Sequence, residues 1–203
     1  MELNININDV SETAFLTLQC HALDAQSRQP ILNDRSALQT LNQLKHYFSK
    51  SGSALHQRLL ENRVQPNLVT HTPLRAKQYD HYIRTFLEGY PTASVVNIGC
   101  GLDHRFERID NGQFQFYDLD LPDIMNIKKQ LFPPQGRYHQ IAQSVFELDW
   151  LEQINSERVI LVAEGVFMYC AEADVKSLLL ALQARFQQPE LVFEVFNSKW
   201  LQG

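Results

Sequence analysis

Beyond Pro91 the chain repeats one pattern: a short apolar run, a polar turn, a segment with helical spacing, then another apolar run. The runs at 94–98, 113–119, 138–142, 159–163 and 191–196 read as strands. The stretches 102–109, 123–132, 145–154 and 174–186 read as helices, the last with Val175, Leu178, Leu179, Leu182 and Phe186 on one side. Strands joined by helices are crossover connections, which makes the sheet parallel and requires cover on both faces. The fold class is therefore α/β. No other feature of the sequence restricts the architecture as much.

The first 72 residues carry helical patterns only. Residues 9–29 place Val10, Ala14, Leu18 and Ala22 at helical spacing and stop before Pro30. Asp34 or Ser36 can cap a second helix through Leu38, Leu41 and Leu44; a loop follows at 50–53 and a short helix at 55–60. Thr72-Pro73 reads as an N-cap followed by proline at the first helical position. Tyr79, Ile83, Phe86 and Leu87 form its buried stripe, closed by Gly89 and Pro91. The expected organisation is an N-terminal helical region at 1–72 and an α/β core at 73–203, packed as one compact unit.

Composition removes several function classes. Among 203 residues the net charge is -5 and no Lys/Arg block occurs, so nucleic acid is not an expected partner. No apolar run approaches the roughly 20 residues of a membrane helix, and no secretory signal opens the sequence. Cys20, Cys100 and Cys170 form neither a disulfide framework nor a CxxC pair. A soluble protein of the reducing cytoplasm, not bound to membranes, is the expectation. The seven histidines show no HxH or HExxH spacing, so no metal is expected, and GxSxG and phosphate-loop motifs are absent.

In parallel sheets ligands bind beyond the carboxyl ends of the strands, so the residues just after each run carry the chemistry. The first run leads into Gly99-Cys100-Gly101-Leu102-Asp103. Glycines there permit a tight turn and a close approach of backbone N–H groups to a ligand. A dinucleotide fingerprint needs a third glycine where this chain has His104, which argues against NAD. The second run ends at Asp118 and Asp120, 19 and 21 residues beyond Gly99, the spacing at which a carboxylate grips ribose hydroxyls. The fourth is followed directly by Glu164, facing the pocket or capping the next segment. His104 is a second option, as a base beside the turn.

Taken in order, VVNIGCGLDHRFER, FYDLDLPDIMNIKK, LVAEGVFMY and ELVFE resemble the leucine carboxyl methyltransferases and the related tetracenomycin-type polyketide O-methyltransferases. The likeness runs over 11–197, is strongest from Arg75, and includes SETAFLTLQCHA and LRAKQYD upstream. It implies a three-layer, Rossmann-like class I methyltransferase sheet that uses S-adenosylmethionine. By that resemblance Gly99 and Gly101 line the methionine portion and Arg75 pairs with its carboxylate. Asp120, with Asp118, holds the ribose, and Glu164 sits near the methionine amino group or the acceptor. Three departures stand out. His104 replaces a common Thr. Gln143 or Ser144 takes the place of an acid after the third strand, as a neutral partner for adenine. Cys20-His21 stands where relatives often carry Arg.

The resemblance also implies an oxygen acceptor, a carboxylate or hydroxyl on a small molecule or peptide end. The helical region would supply its lid, with Tyr79, Tyr82 and Tyr169 as liners. Such sheets have seven strands, whereas the fifth, at 191–196, is the last here, so the final two are expected to be missing. Its outer edge then needs a longer natural chain or a second copy to cover it. Two other classes stay open at this point: an NAD-linked oxidoreductase, and a non-catalytic module that binds an adenosyl ligand or a partner.

Overall fold

Strands form where the apolar runs stand. The computed structural model describes residues 12–195 and contains β1 (Ser94–Ile98), β2 (Gln115–Asp120), β3 (Tyr138–Ala142), β4 (Val159–Ala163) and β5 (Glu190–Phe193). They make one sheet in the order β3-β2-β1-β4-β5, with every neighbouring pair parallel. The chain thus steps outward from β1 to β3, then returns past β1 to build β4 and β5. The helices are α1 (Glu12–Ala25), α2 (Arg35–Lys50), α3 (Ala54–Leu60), α4 (Pro66–Gly89), α5 (Arg105–Ile109), α6 (Pro122–Leu131) and α7 (Glu172–Arg185). This is the α/β fold that the alternation requires.

By its internal contacts the chain divides into two units. Among the described residues the first holds 12–81, 101–109 and 123–133, and the second holds 82–100, 110–122 and 134–195. The second unit contains the whole sheet. On one face Val96, Ile98, Leu119, Leu161 and Ala163 pack with Trp150 and Leu151, and with Leu178, Leu182 and Phe186 at α7 and its end. The other face is buried as completely: Val95, Phe116, Ile160 and Val162 are all at 0% exposure. Each such side chain contributes about 1.5–3 kcal/mol on removal from water. In the first unit, Phe15, Leu18 and Ala22 of α1 pack on Leu41, Leu44 and Phe48 of α2 and on Leu59 of α3.

Several boundaries differ from the sequence reading, each for a local reason. The α4 helix starts at Pro66 and passes through Pro73, so Thr72 is not an N-cap. The pattern of proline at the first helical position is satisfied by Pro66 instead. The buried hydroxyl of Thr72 bonds the Cys20 thiol. Residues 145–154 form a 3₁₀ segment at Leu148–Gln153, tied by the Trp150 indole N–H to the Val145 carbonyl at 3.0 Å. β2 starts at Gln115 because Asn111 Oδ1 accepts the N–H groups of Gln113 and Phe114 and holds a turn there. α1 ends at Ala25; beyond it the Asp24 carboxylate accepts the N–H groups of Ile31, Leu32 and Asn33 at 2.7–3.0 Å. Asp34 does cap α2, through the N–H of Ala37. Of the expected strand at 191–196, Phe196 lies outside the described residues, as do the expected helical positions 9–11.

Candidate functional site

The strand register sets one row of residues along the carboxyl edge of the sheet. Ile98 of β1 pairs with Leu119 of β2 and Ala163 of β4, and Asp120 pairs with Ala142 of β3. Asp120 closing β2, Gly99 after β1 and Glu164 after β4 are therefore level with Ala142, the last residue of β3, and Gln143 follows one residue beyond the row. At about 4.8 Å between strands the row is about 14 Å long. β1 and β4 lie at the point where the connections turn in opposite directions, the topological switch at which open sheets hold ligands. All five residues belong to the second unit.

The glycine turn is built by the local chain. The N–H of Gly99 donates to the Leu119 carbonyl at 2.8 Å, which pulls the strand end toward β2. Gly99 has φ +61, and a Cβ at this position would collide with Val166 Cγ2. Only glycine fits, and its backbone is left open to close approach. The acids of β2 divide in role. Asp118 is fully buried within the sheet, one oxygen accepting from Asn97 Nδ2 at 2.8 Å and the other from the Tyr138 hydroxyl at 2.7 Å. Asp120, two residues on, is half-buried at the strand end, where Oδ1 accepts the N–H of Leu121.

Gln143 and Ser144 make the turn after β3. The Gln143 amide N–H donates to the Glu147 carbonyl, and its backbone N–H to the Asp120 carbonyl at 3.0 Å. This leaves the Gln143 side-chain oxygen as the acceptor of that amide. The Ser144 hydroxyl accepts the N–H of Phe146 at 3.3 Å. Glu164 is half-buried and is followed by Gly165 at φ +72, a second left-handed turn on the same edge. Exposed apolar side chains follow the same strands: Leu121, Leu148 and Tyr169.

Of the remaining sequence candidates, Arg75, Tyr79, Gly101 and His104 lie in the first unit. Arg75 is half-buried on α4, its charge acting on the thiol of Cys20, which burial pushes upward. Gly101 has φ +53, with Ala14 of α1 in ordinary contact distance of the Cβ it lacks. His104 is held by Glu107 at 3.2 Å and stacks on Phe132 with ring centroids 4.1 Å apart. Those contacts give it a packing role. Tyr79 is core, with Arg105 over its ring at 5.7 Å, while Tyr82 and Tyr169 are exposed.

The same unit holds an ionic network that the sequence reading missed. Arg108 bonds Asp103 through two nitrogens at 2.5 and 2.9 Å, Asp80 at 2.7 Å and Asp34 at 2.8 Å, and Arg105 bonds Asp80 at 2.8 Å. Burial opposes ionisation of Asp103, but the charge and hydrogen bonds of Arg108, with Arg105, hold its carboxyl well below the usual range. Asp34 is lowered against burial by His21 and Arg108. Lys128, fully buried, donates to the Asp103 carbonyl at 2.7 Å. His21, Asp34 and Asp103 place ligand atoms within 4.8 Å of one another, a spacing that suits a metal ion. The Arg108 guanidinium already sits on both of those carboxylates, so the cluster is neutralised by the chain's own cation. The arginine pair in RFERI, three residues apart just after the glycine turn, was the available signal.

Comparisons with known proteins give the family and the fold. The family model for leucine carboxyl methyltransferases matches residues 14–183. Tetracenomycin polyketide synthesis O-methyltransferase TcmP of Streptomyces glaucescens is 33% identical over 177 residues, covering 86% of this chain and 62% of the relative. S-adenosyl-L-methionine-dependent methyltransferase dpfgK of Gibberella zeae is 26% identical over 193 residues, covering 90% and 63%. The chain thus spans less than two thirds of the length of either relative. Among solved structures, magnesium protoporphyrin IX methyltransferase (ChlM) of Synechocystis PCC 6803 superposes with a TM-score of 0.50 at 11% identity, over 80% of this chain and 76% of that one. That likeness concerns the fold.

Proposed function

Because the chain belongs to the leucine carboxyl methyltransferase family, we propose that it is an S-adenosylmethionine-dependent methyltransferase acting on an oxygen. The observation that carries this reading is the level row Asp120–Gly99–Glu164, with Gln143 one residue beyond it after β3; their order of chemistry follows the length of the cofactor. The Gln143 side-chain oxygen accepts from the adenine amino group. Asp120 takes the ribose hydroxyls, with Asp118 behind it as the buried support of the strand. The Gly99 turn passes along the methionine portion, and Glu164 faces its amino group. Ser144 holds the turn after β3 in shape. Arg75, paired with the methionine carboxylate, and Gly101 are assigned by family resemblance, on sequence alone. The division into a helical region at 1–72 on the acceptor side and a cofactor-binding core at 73–203 belongs to the same proposal.

The residues present suit such a ligand. Position 99 admits no side chain, as a backbone cradle requires, and the acceptor groups along the row match a molecule that presents donors at adenine, ribose and ammonium. When bound, S-adenosylmethionine supplies a methyl group activated by a positively charged sulfur. The protein's task is then to position the acceptor in line and exclude water. A carboxylate acceptor is ionised at pH 7 and needs no general base, whereas a phenol titrates near 10 unless perturbed, as a rough guide. One of these relatives is named for polyketide synthesis, and the exposed Leu121, Leu148 and Tyr169 beyond β2, β3 and β4 offer apolar surface for a ring-bearing acceptor. Among the described residues no helix is long and apolar enough to cross a membrane; a cytoplasmic location and a small-molecule or peptide-end acceptor complete the proposal. Thermal unfolding with S-adenosylhomocysteine tests it. At about 100 times its Kd the ligand should add about 2.7 kcal/mol, with no shift from NADH. An unchanged transition would remove the cofactor assignment.

A further inference from the structure

Asp103 ends the short run that follows the glycine turn, and it is held at both of its polar ends. Its carboxylate takes two bonds from Arg108, at 2.5 and 2.9 Å, with Arg105 at 3.5 Å. Its backbone carbonyl accepts a bond from Lys128 Nζ at 2.7 Å. Lys128 is at 0% exposure near the end of α6, the helix that starts just past Asp120. The neighbouring residues add an apolar tie, since Leu102 and Ile127 are both buried in the cluster with Phe15 and Leu18 of α1. Gly101, at φ +53, stands directly before this pinned pair. The run from Gly101 to Asp103 and Lys128 belong to the same unit, the first.

A fully buried ammonium is costly, and an apolar side chain of similar volume in its place is often neutral or stabilising. The Asp103 carboxylate does not require it, being already paired with Arg108. What a lysine provides here and a methionine cannot is a charged donor on one particular backbone carbonyl. We propose that Lys128 is a positioning residue for the cofactor: its bond to the Asp103 carbonyl sets the backbone from Gly101 to Asp103 in the shape that receives the methionine end of S-adenosylmethionine. Being fully buried, Lys128 acts through the turn and not by contact with the ligand. This role rests on the cofactor reading and adds a coupling to it, in which the helix after the ribose acid fixes the turn that holds the amino-acid end.

Calorimetric titrations of the full chain with two ligands test it. S-adenosylhomocysteine carries the amino-acid end; 5′-methylthioadenosine shares its adenine, ribose and sulfur but lacks that end. In Lys128→Met, S-adenosylhomocysteine should bind about tenfold more weakly, the worth of one hydrogen bond to a charged group. 5′-Methylthioadenosine should stay within about twofold of the parent. Ile127→Ala loosens the same helix and leaves the lysine in place, so it should lower the melting temperature and keep both affinities within about twofold. A lysine with a purely structural role would lower the melting temperature with both affinities unchanged, or weaken the two ligands equally; either result overturns the proposal. Where Lys128→Met fails to fold, Asp103→Asn, which withdraws the carboxylate half of the hold, must show the same selective loss. A folded parent that binds neither ligand removes the cofactor reading and this role with it, whereas a parent that binds both, with variants that keep their ratio, removes the positioning role alone.

Discussion

Asp118 and Asp120 are separated by one residue and do different work. Asp118 is enclosed by Asn97 and Tyr138, so Asp118→Asn should destabilise the fold by about 1–3 kcal/mol by turning a donor toward a donor. Urea denaturation would register that loss, and the affinity of the folded fraction for S-adenosylhomocysteine should stay within about twofold of the parent, well inside the tenfold worth of 1.4 kcal/mol. An affinity loss without a stability loss would reverse the assignment. Gly99→Ala is constrained twice, by φ +61 and by the collision with Val166, so it should lower the melting temperature and weaken S-adenosylhomocysteine together. A stable variant with normal affinity would show that the turn can shift. At this scale the sequence was partly legible: spacing located both acids, but only the two partners of Asp118 separate the structural one from the accessible one.

At the scale of elements, the strands were legible because both faces of the sheet are buried and the runs are continuously apolar. Boundaries were less so. Pro73 is a proline tolerated inside a helix, and its neighbour Thr72 imitates a cap while bonding Cys20. The network around Arg108 was invisible for a related reason: Asp34, Asp80, Asp103, Arg105 and Arg108 read along the chain as ordinary solvated charges. The fold brings together groups from the N-terminus of α2, from α4, from the segment after the glycine turn and from α5. Arg108→Ala leaves three acids short of a cation and should cost about 3–5 kcal/mol; a loss below 1 kcal/mol in chemical denaturation would contradict the network's importance. The pH dependence has a defined sign. Asp34 and Asp103 ionise more readily folded than unfolded, so their stabilisation is complete above the unfolded carboxylate value of about 3.9 and is lost as pH falls through the folded values. Denaturation midpoints should be flat down to about pH 5 and fall below pH 4, and the fall should be shallower in Asp103→Asn.

For the whole molecule, the alternation of strands and helices was enough to specify a parallel sheet, and the ordered motifs were enough to specify the family. The partition of contacts was beyond sequence reading, because 101–109 and 123–133 lie between strands in the chain yet cluster with the N-terminal helices. β5 pairs only with β4 among the described residues, and its side chains are half-buried or exposed. The central claim is that the carboxyl edge of β3, β2, β1 and β4 holds an adenosyl cofactor with Asp120 on its ribose. Calorimetric titration of S-adenosylhomocysteine into the parent chain and Asp120→Ala tests it most directly. The account predicts one site per chain in the parent and at least about a tenfold loss in the variant, equal to 1.4 kcal/mol or more, with unchanged circular dichroism. Equal affinity of the two proteins, or no binding by a folded parent, would contradict it.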